Sequence, residues 1–179
     1  MTDSFIKNLF SLSPRPFGDM GEEIVKMVIP SLSERKDHTH DASENEKRVE
    51  IKCSRALLSR KVNCLQDLLI EDFTARAASL DQIISEGRVD CIFEHIKTRY
   101  FDDLYYSIFS SNTLLVFKIS SKELIEDKNI SFCNRQTRDA EGDGQFHVKK
   151  NNIEYHIKKY LVKEVTYDKL CDIIISKFS

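Results

Sequence analysis

The sequence lacks any apolar run that approaches the roughly 18 residues needed to cross a membrane as a helix. Its first residues, Met1–Ser4, also lack the positive-then-apolar pattern of a signal peptide. Hydrophobic residues make up 41% of the 179 residues and charged residues 31%, a balance typical of folded chains and not of disordered ones. We therefore expect one domain over residues 1–179, located in the cytoplasm, with no membrane partner.

The sequence also lacks clustered metal-binding side chains. Its five cysteines are scattered and never stand in C-x-x-C spacing, which argues against a disulfide framework and against a thiolate zinc site. His38 and His40 alone are too few ligands for a closed metal site. Net charge is −2 with a pI near 6.2, whereas nucleic-acid-binding proteins are often basic overall. Catalytic carboxylates can lower the total charge while basic residues cluster locally, so this class stays open.

Helix-like and strand-like stretches alternate along the chain. Phe17–Pro30 and Leu65–Glu86 are typical of helices, and the second is either a dimer surface or part of the intramolecular core. Cys91–Lys97 and Thr113–Ser120 are strand-like, with a helix expected within Tyr100–Phe109 between them. The remaining predicted elements are a short helix at 120–127, a strand at 145–150 and two closing helices. This order predicts an α/β fold with a mixed central sheet flanked by helices.

The stretch "RVEIKCS" at residues 48–54 carries the strongest chemical signal. Side chains alternate faces along a strand, so Glu50 and Lys52 share one face and Val49, Ile51 and Cys53 share the other. The pattern Asp/Glu-x-Lys occurs three times in the chain, but only here does it have an apolar centre and apolar flanks. A half-buried strand with a solvated charged face is the ordinary alternative to a catalytic site.

An acid upstream strengthens the catalytic interpretation. Asp41 lies nine residues before Glu50 across a turn-prone stretch, so antiparallel pairing can bring the two carboxylates together. Two neighbouring carboxylates do not ionise together easily without a cation, and Mg²⁺ prefers such oxygen ligands. Lys52 on the same strand face can orient or help deprotonate a water molecule. On the first helix, Glu23 flanks the apolar stripe of Met20 and Met27, and we prefer it to Glu22 as a fourth group.

These motifs together resemble the PD-(D/E)xK nuclease superfamily, and in particular small type II restriction endonucleases. The resemblance rests on "GEEIV" in the first helix, then "HDA", then "RVEIKCSRA", followed by "FEHIKTRYFDDLYYSIF" and "NTLLVFKI". It continues through "DGQFHVKKNNIEYHIKKYL" and spans roughly residues 17 to 175. His40 stands where the proline of the superfamily motif would precede Asp41, which leaves Asp37 as the alternative acid.

The resemblance implies a restriction-endonuclease-like core at about residues 17–120, with a DNA-contacting loop and C-terminal helices at about 129–179. It implies that Mg²⁺ is bound by Asp41, Glu50 and the backbone of Ile51. Lys52 would position the attacking water and Glu23 would assist. The implied activity is Mg²⁺-dependent hydrolysis of double-stranded DNA at a short specific sequence, leaving 5′-phosphate ends. A homodimer would read both halves of a palindrome, and a companion methyltransferase is expected in the same system but not in contact.

Candidate DNA-contacting residues lie on two segments. Arginine-to-guanine is the commonest specific base contact, and residues just past the active-site strand are well situated for phosphates. The candidates are Ser54, Arg55 and Arg60 after the strand, and Arg135, Gln136, Arg138, Gln145 and His147 in and after the polar stretch at 129–144. An ordinary solvated loop is the alternative for the second group. The alternative functions are a structure-specific repair or junction-resolving nuclease and a non-catalytic DNA-binding module.

Overall fold

The computed structural model describes residues 2–34, 39–59, 73–134 and 143–178. Its helices are α1 (Thr2–Ser11), α2 (Pro14–Val28), α3 (Leu80–Ser85), α4 (Ser121–Glu126), α5 (Ile153–Tyr160) and α6 (Tyr167–Phe178). Its strands are β1 (Ser33–Glu34), β2 (Ala42–Glu44), β3 (Lys47–Arg55), β4 (Asp90–Ile96), β5 (Asp103–Phe109), β6 (Thr113–Ser120), β7 (Cys133–Asn134), β8 (Gly144–Lys149) and β9 (Leu161–Thr166).

The described strands form two sheets. Six of them make a central sheet in the order β1-β2-β3-β5-β6-β9, and the other three make a smaller sheet in the order β4-β8-β7. β3 and β5 run parallel, with Lys52 opposite Tyr106, and every other neighbouring pair in the central sheet is antiparallel. The predicted α/β fold with a mixed central sheet is confirmed.

The central sheet is covered on both faces. One face packs against α1, α2 and α6 through a cluster that includes Ile24, Val49, Ile51 and Leu170. The other face packs against the small sheet, α3 and α5 through a second cluster that includes Phe93, Tyr106, Phe146 and Ile153. Apolar residues on both sides of the same strands therefore fix the sheet between two layers.

The helix expected within Tyr100–Phe109 is wrong, because residues 103–109 form strand β5. All seven residues of β5 are buried. The strand lies between β3 and β6 and is covered on both faces, so its sequence is apolar at nearly every position instead of on one stripe. Such a short continuous run cannot be assigned to helix or strand by periodicity alone.

The helix expected at Leu65–Glu86 is confirmed at Leu80–Ser85 but wrong over residues 73–79. Residues 73–79 form turns and an isolated bridge, and helix α3 begins only at Leu80. Ser79 caps α3 through a capping box with Gln82, whose side chain accepts a hydrogen bond from the Ser79 N–H at 2.9 Å. Residues 60–72 lie outside the described residues, and they include residues 65–72 of the proposed dimer surface. No described helix is both long and apolar enough to cross a membrane.

Candidate active site

A short hairpin brings Asp41 to the edge of β3. Asn45 and Glu46 adopt left-handed backbone conformations with φ of 49° and 67°, forming the two-residue turn that joins β2 to β3. The Asp41 N–H donates to the Val49 carbonyl at 2.9 Å, and Asp41 Oδ2 accepts from the Ile51 N–H at 2.8 Å. The chain thus aligns the Asp41 carboxylate with the same stretch of β3 that carries Glu50.

The edge of β3 is open beside this carboxylate. β2 pairs only with residues Lys47–Val49, so in the described chain the rest of β3 has no strand partner on that side. N–H and C=O of one residue point to the same side of a strand. Because the Ile51 N–H faces Asp41, the Ile51 carbonyl faces the same open edge.

Glu50 and Lys52 form an ion pair on the face of β3 opposite to Val49 and Ile51. Their side chains contact each other through Glu50 Oε1 and Lys52 Nζ, and both are largely buried. Burial raises the pKa of Glu50, and Asp41 raises it further, against the opposing effect of Lys52. Burial also disfavours the Lys52 ammonium, but the carboxylates of Glu50, Asp41 and Glu22 outweigh this and raise its pKa. Lys52 therefore carries a positive charge and is surrounded by acidic side chains.

Helix α2 supplies a third carboxylate, Glu22. The helix approaches β3 closely at Gly21, where an added Cβ would come within 2.6 Å of the Cys53 sulfur. The next residue, Glu22, is half-buried. Burial and the nearby Asp41 raise its pKa to about 7, while Lys52 acts in the opposite direction.

The preference for Glu23 over Glu22 is therefore corrected. Glu23 has 55% of its side chain exposed and pairs with Lys26 at 2.8 Å on the outer side of α2. The expected apolar stripe included Met20, but Met20 is 46% exposed. The buried stripe runs instead through Phe17, Gly21, Ile24, Val25 and Val28. This rotation of the helix turns Glu22 toward the sheet edge and Glu23 away from it.

His40 occupies the position before Asp41 and is buried. Its Nδ1 lies 3.0 Å from the Thr39 hydroxyl, and its Nε2 lies 3.3 Å from the Ser43 hydroxyl. These contacts hold the segment that enters β2. Asp37, the alternative acid, lies outside the described residues.

The donor set suits Mg²⁺ better than a metal that needs several protein ligands. Within residues 2–34, 39–59, 73–134 and 143–178, no group of three or more His, Cys, Asp or Glu side chains stands close enough to hold an ion by itself. Mg²⁺ is commonly bound by one or two carboxylates and keeps several water molecules. Asp41, Glu50 and the Ile51 carbonyl could supply such donors, and burial, with Asp41 nearby, raises the pKa of Glu50, so a bound cation would favour its ionised form.

A groove of about 710 Å³ opens beside these groups. It is lined by Glu22 and Lys52, by Ser54 and Arg76, and by Ile92 and Glu94 of β4. Ser54 shares the strand face of Glu50 and Lys52 and lines the groove, and its contact with a phosphate stays a prediction. The groove is thus bounded by α2, β3 and the outer face of the small sheet.

Arg55 lines the groove but is largely buried. The residue is 8% exposed, and its Nη1 donates to the carbonyls of Phe10 at 2.9 Å and Leu12 at 2.7 Å. Its guanidinium also lies over the rings of Phe17 and Phe73 at 4.5 Å and 3.9 Å. These contacts join α1 to β3, and the expected contact of Arg55 with phosphate stays a prediction.

The other expected DNA contacts fall into two groups. Arg60, Arg135, Gln136 and Arg138 lie outside the described residues. Gln145 and His147 both lie half-buried on β8, on one face of the small sheet. His147 Nδ1 lies 2.8 Å from Asp90 Oδ1 on the neighbouring strand.

Reasoning from the sequence ranked Glu22 second to Glu23 and missed the β4 wall of the groove. A glycine within a helical apolar stripe is the signal that could have identified Glu22, since Gly21 marks the point of closest approach to β3. Comparison of the chain with protein-family models, curated proteins and solved structures gives no match. The inference of function therefore rests on the geometry above.

Proposed function

We propose that the protein is a Mg²⁺-dependent endonuclease that hydrolyses phosphodiester bonds in double-stranded DNA, built on a restriction-endonuclease-like core. The observation that carries this proposal is the convergence of Asp41, Glu50, Lys52 and Glu22 around β3, beside a groove. Three carboxylates around one ammonium leave an excess of negative charge. A divalent cation and a phosphate together would balance that arrangement.

Each residue has a role that follows from its position. Asp41 and Glu50 would hold the cation together with the Ile51 carbonyl, and the Ile51 N–H fixes the Asp41 carboxylate for this purpose. The cation, when bound, stabilises negative charge on the phosphate and favours ionisation of water. Lys52 orients the attacking water. Glu22, with a pKa of about 7, is suited to accept its proton near neutral pH.

The reaction is an in-line displacement at phosphorus. The water oxygen forms a bond to phosphorus, and the bond from phosphorus to the 3′ oxygen breaks. The departing 3′ oxygen takes up a proton from solvent. The products are a 5′-phosphate and a 3′-hydroxyl.

The order of sequence motifs favours a type II restriction endonuclease over other nucleases of this kind. Such an enzyme of 179 residues would act as a homodimer on a palindromic site, in the cytoplasm, with a separate methyltransferase protecting host DNA. The two carboxylates, the lysine and the helix acid are all present, which argues against a non-catalytic DNA-binding module.

Digestion of plasmid and phage DNA tests the proposal. Purified protein with Mg²⁺ at low salt should give discrete fragments, EDTA should abolish them, and the Lys52→Ala variant should bind DNA without cutting it. Preferential cutting of branched DNA would instead indicate a junction-resolving enzyme. A folded protein that cuts no DNA and whose DNA binding is unaffected by Lys52→Ala would contradict catalysis.

Cation binding has a readout that does not depend on cleavage. A ligand that binds only the folded state at 100 times its Kd stabilises it by about 2.7 kcal/mol. Saturating Mg²⁺ should therefore raise the Tm of the wild-type protein clearly. Glu50→Gln, which removes one of the proposed ligands, should lose most of that increase.

A further inference from the structure

The small sheet has one buried face and one outward face. Cys91 and Phe93 of β4 and Phe146 and Val148 of β8 point into the core and are almost fully buried. Because side chains alternate along a strand, the intervening residues point outward. These are Asp90 and Ile92 on β4 and His147 and Lys149 on β8, and the pairing aligns Ile92 with His147 and Asp90 with Lys149. We call these four side chains the ribbon face.

The ribbon face belongs to a two-stranded segment. In the part of the chain that the structure describes, β7 pairs with β8 only at Gly144 and Gln145. The remaining residues of β8, Phe146–Lys149, pair with β4 alone. A two-stranded antiparallel ribbon is narrow enough to enter the major groove of B-DNA, which is about 12 Å wide.

The ribbon face adjoins the candidate active site. Asp90, Ile92 and Glu94 line the same groove as Glu22 and Lys52. A duplex whose scissile phosphate lies at Lys52 would therefore extend along β4. Because the groove runs from Lys52 to the ribbon face, we expect the duplex that is cut at Lys52 to contact the ribbon face as well.

The chemistry of the ribbon face fits base edges. Asp90 would repel DNA if unpaired, but His147 Nδ1 lies 2.8 Å from its Oδ1 and Lys149 Nζ lies 2.9 Å from its Oδ2. Ile92 stands between these polar groups with 41% of its surface exposed. Lysine can donate to guanine O6 and N7, and an exposed aliphatic side chain can contact the thymine methyl group.

We propose that the ribbon face reads base edges in the DNA major groove and so determines sequence specificity. The inference rests on the proposed function and extends it, because it assigns recognition to Ile92, His147 and Lys149. Ile92 and the Asp90–His147–Lys149 cluster form one surface, so changes at either should alter recognition in the same way. Lys52 and Glu50 contribute to cutting, whereas the ribbon face contributes to the choice of site.

The test compares Ile92→Thr and Lys149→Ala with a matched control, Ile125→Ala. Threonine keeps the β-branched shape that suits a strand, and Ile125 is an exposed isoleucine on α4, which packs against β6 away from the groove. Cutting rates at the wild-type site and binding to an unrelated duplex at low salt are measured for each. Both ribbon variants should slow site-specific cutting about tenfold or more, leave binding to the unrelated duplex within about twofold, and retain the wild-type Tm. Ile125→Ala should change none of these.

The outcomes separate this inference from the function it extends. Wild-type cutting at a defined site, with both ribbon variants cutting that site at the wild-type rate, would overturn the ribbon assignment and leave the nuclease intact. Wild-type protein that neither cuts nor binds duplex DNA would overturn both. Wild-type protein that binds one DNA sequence selectively without cutting would overturn catalysis alone. In that case loss of selective binding in Ile92→Thr would support the ribbon assignment, and wild-type selectivity in that variant would overturn it.

Discussion

Acidic side chains in two regions of this protein have opposite electrostatic characters. At the candidate active site, Glu22, Asp41 and Glu50 surround one lysine, and the pKa of Glu22 rises to about 7. Near α5, the Asp127 carboxylate accepts hydrogen bonds from Tyr160 at 2.6 Å, from Lys159 at 2.8 Å and from the Asn129 N–H at 2.9 Å. Burial opposes ionisation of Asp127, but these donors outweigh it and hold its pKa well below the usual range.

The opposite pKa shifts distinguish an acid that stabilises the fold, Asp127, from acids beside β3 that a bound cation would stabilise. The donors to Asp127 come from α5 and from the loop after α4, so ionisation of Asp127 strengthens the connection between the end of α4 and α5. The acids at β3 have too few donors and repel one another. Local stability is therefore lost at the site where cation and substrate would restore it.

Removing one of the three acids at the candidate active site, Glu22, Asp41 and Glu50, should have the largest effect on activity and a small effect on stability. Glu50→Gln should lower the rate of Mg²⁺-dependent cleavage by about 10³-fold, since it removes a proposed cation ligand. Its free energy of unfolding at pH 8 should stay within about 1 kcal/mol of the wild type, because Gln relieves repulsion while losing the pair with Lys52. Cleavage rates and urea unfolding measure the two effects, and near-wild-type cleavage would contradict the assigned role.

Removing the Asp127 carboxylate should have the opposite result, with a large effect on stability and a small effect on activity. Asp127→Asn should lower the free energy of unfolding by about 3 kcal/mol, because several charge-assisted hydrogen bonds to one buried carboxylate are weakened together. At a temperature where the variant is still folded, cleavage should stay within about twofold of wild type. Equal unfolding midpoints in urea for variant and wild type would show that the cluster adds nothing to stability.

A buried histidine beside the Asp127 cluster should make the fold sensitive to acid. His156 is fully buried, its Nδ1 lies 2.7 Å from the Tyr106 hydroxyl, and burial lowers its pKa to about 4. As the pH falls from 6.5 to 4, the unfolded chain takes up a proton that the folded chain does not. The protein should thus lose about 2–3 kcal/mol of stability over this range.

The His156→Phe variant isolates this contribution. Phenylalanine can keep the stacking on Phe146 but cannot titrate, although it leaves the Tyr106 hydroxyl without its hydrogen-bond partner. The variant should be somewhat less stable at pH 7 and lose less stability than the wild type between pH 6.5 and 4. Parallel pH dependence in urea unfolding of the two proteins would rule out His156 as the source.

Adjacent glutamates on α2 give the smallest and most selective comparison. Glu22→Gln should reduce cleavage about tenfold, since it removes a proton acceptor, whereas Glu23→Gln should leave cleavage within about twofold of wild type. Because the folded-state pKa of Glu22 is raised, its ionisation destabilises the fold as the pH rises from 4.5 to about 7, and the loss is complete at higher pH. Glu22→Gln should therefore be more stable than Glu23→Gln at pH 8, by about 1 kcal/mol given solvent screening. Equal cleavage by the two variants would contradict the orientation of α2.

Features set by short-range pattern could be predicted from the sequence. The alternation in residues 48–54, the turn before it and the spacing to Asp41 all act over about ten residues, and the structure has them as expected. Features set by tertiary packing could not. The strand character of Asp103–Phe109 depends on burial between two neighbours, and the rotation of α2 depends on Gly21 meeting Cys53. The Asp127 cluster joins residues about 30 positions apart that form no motif.

The turn at Asn45 and Glu46 has a consequence for the order in which the site forms during folding. Its hairpin brings Asp41 beside Ile51 through contacts only ten residues apart, and isolated hairpins form in about 1–10 μs. The parallel pairing of β3 with β5 joins residues more than 50 positions apart, and such long-range closure is slow. We therefore expect the Asp41–Glu50 half of the site to form while the central sheet is still incomplete. Glu22 would arrive only when α2 packs onto β3, so the site would complete its acid cluster at the end of folding.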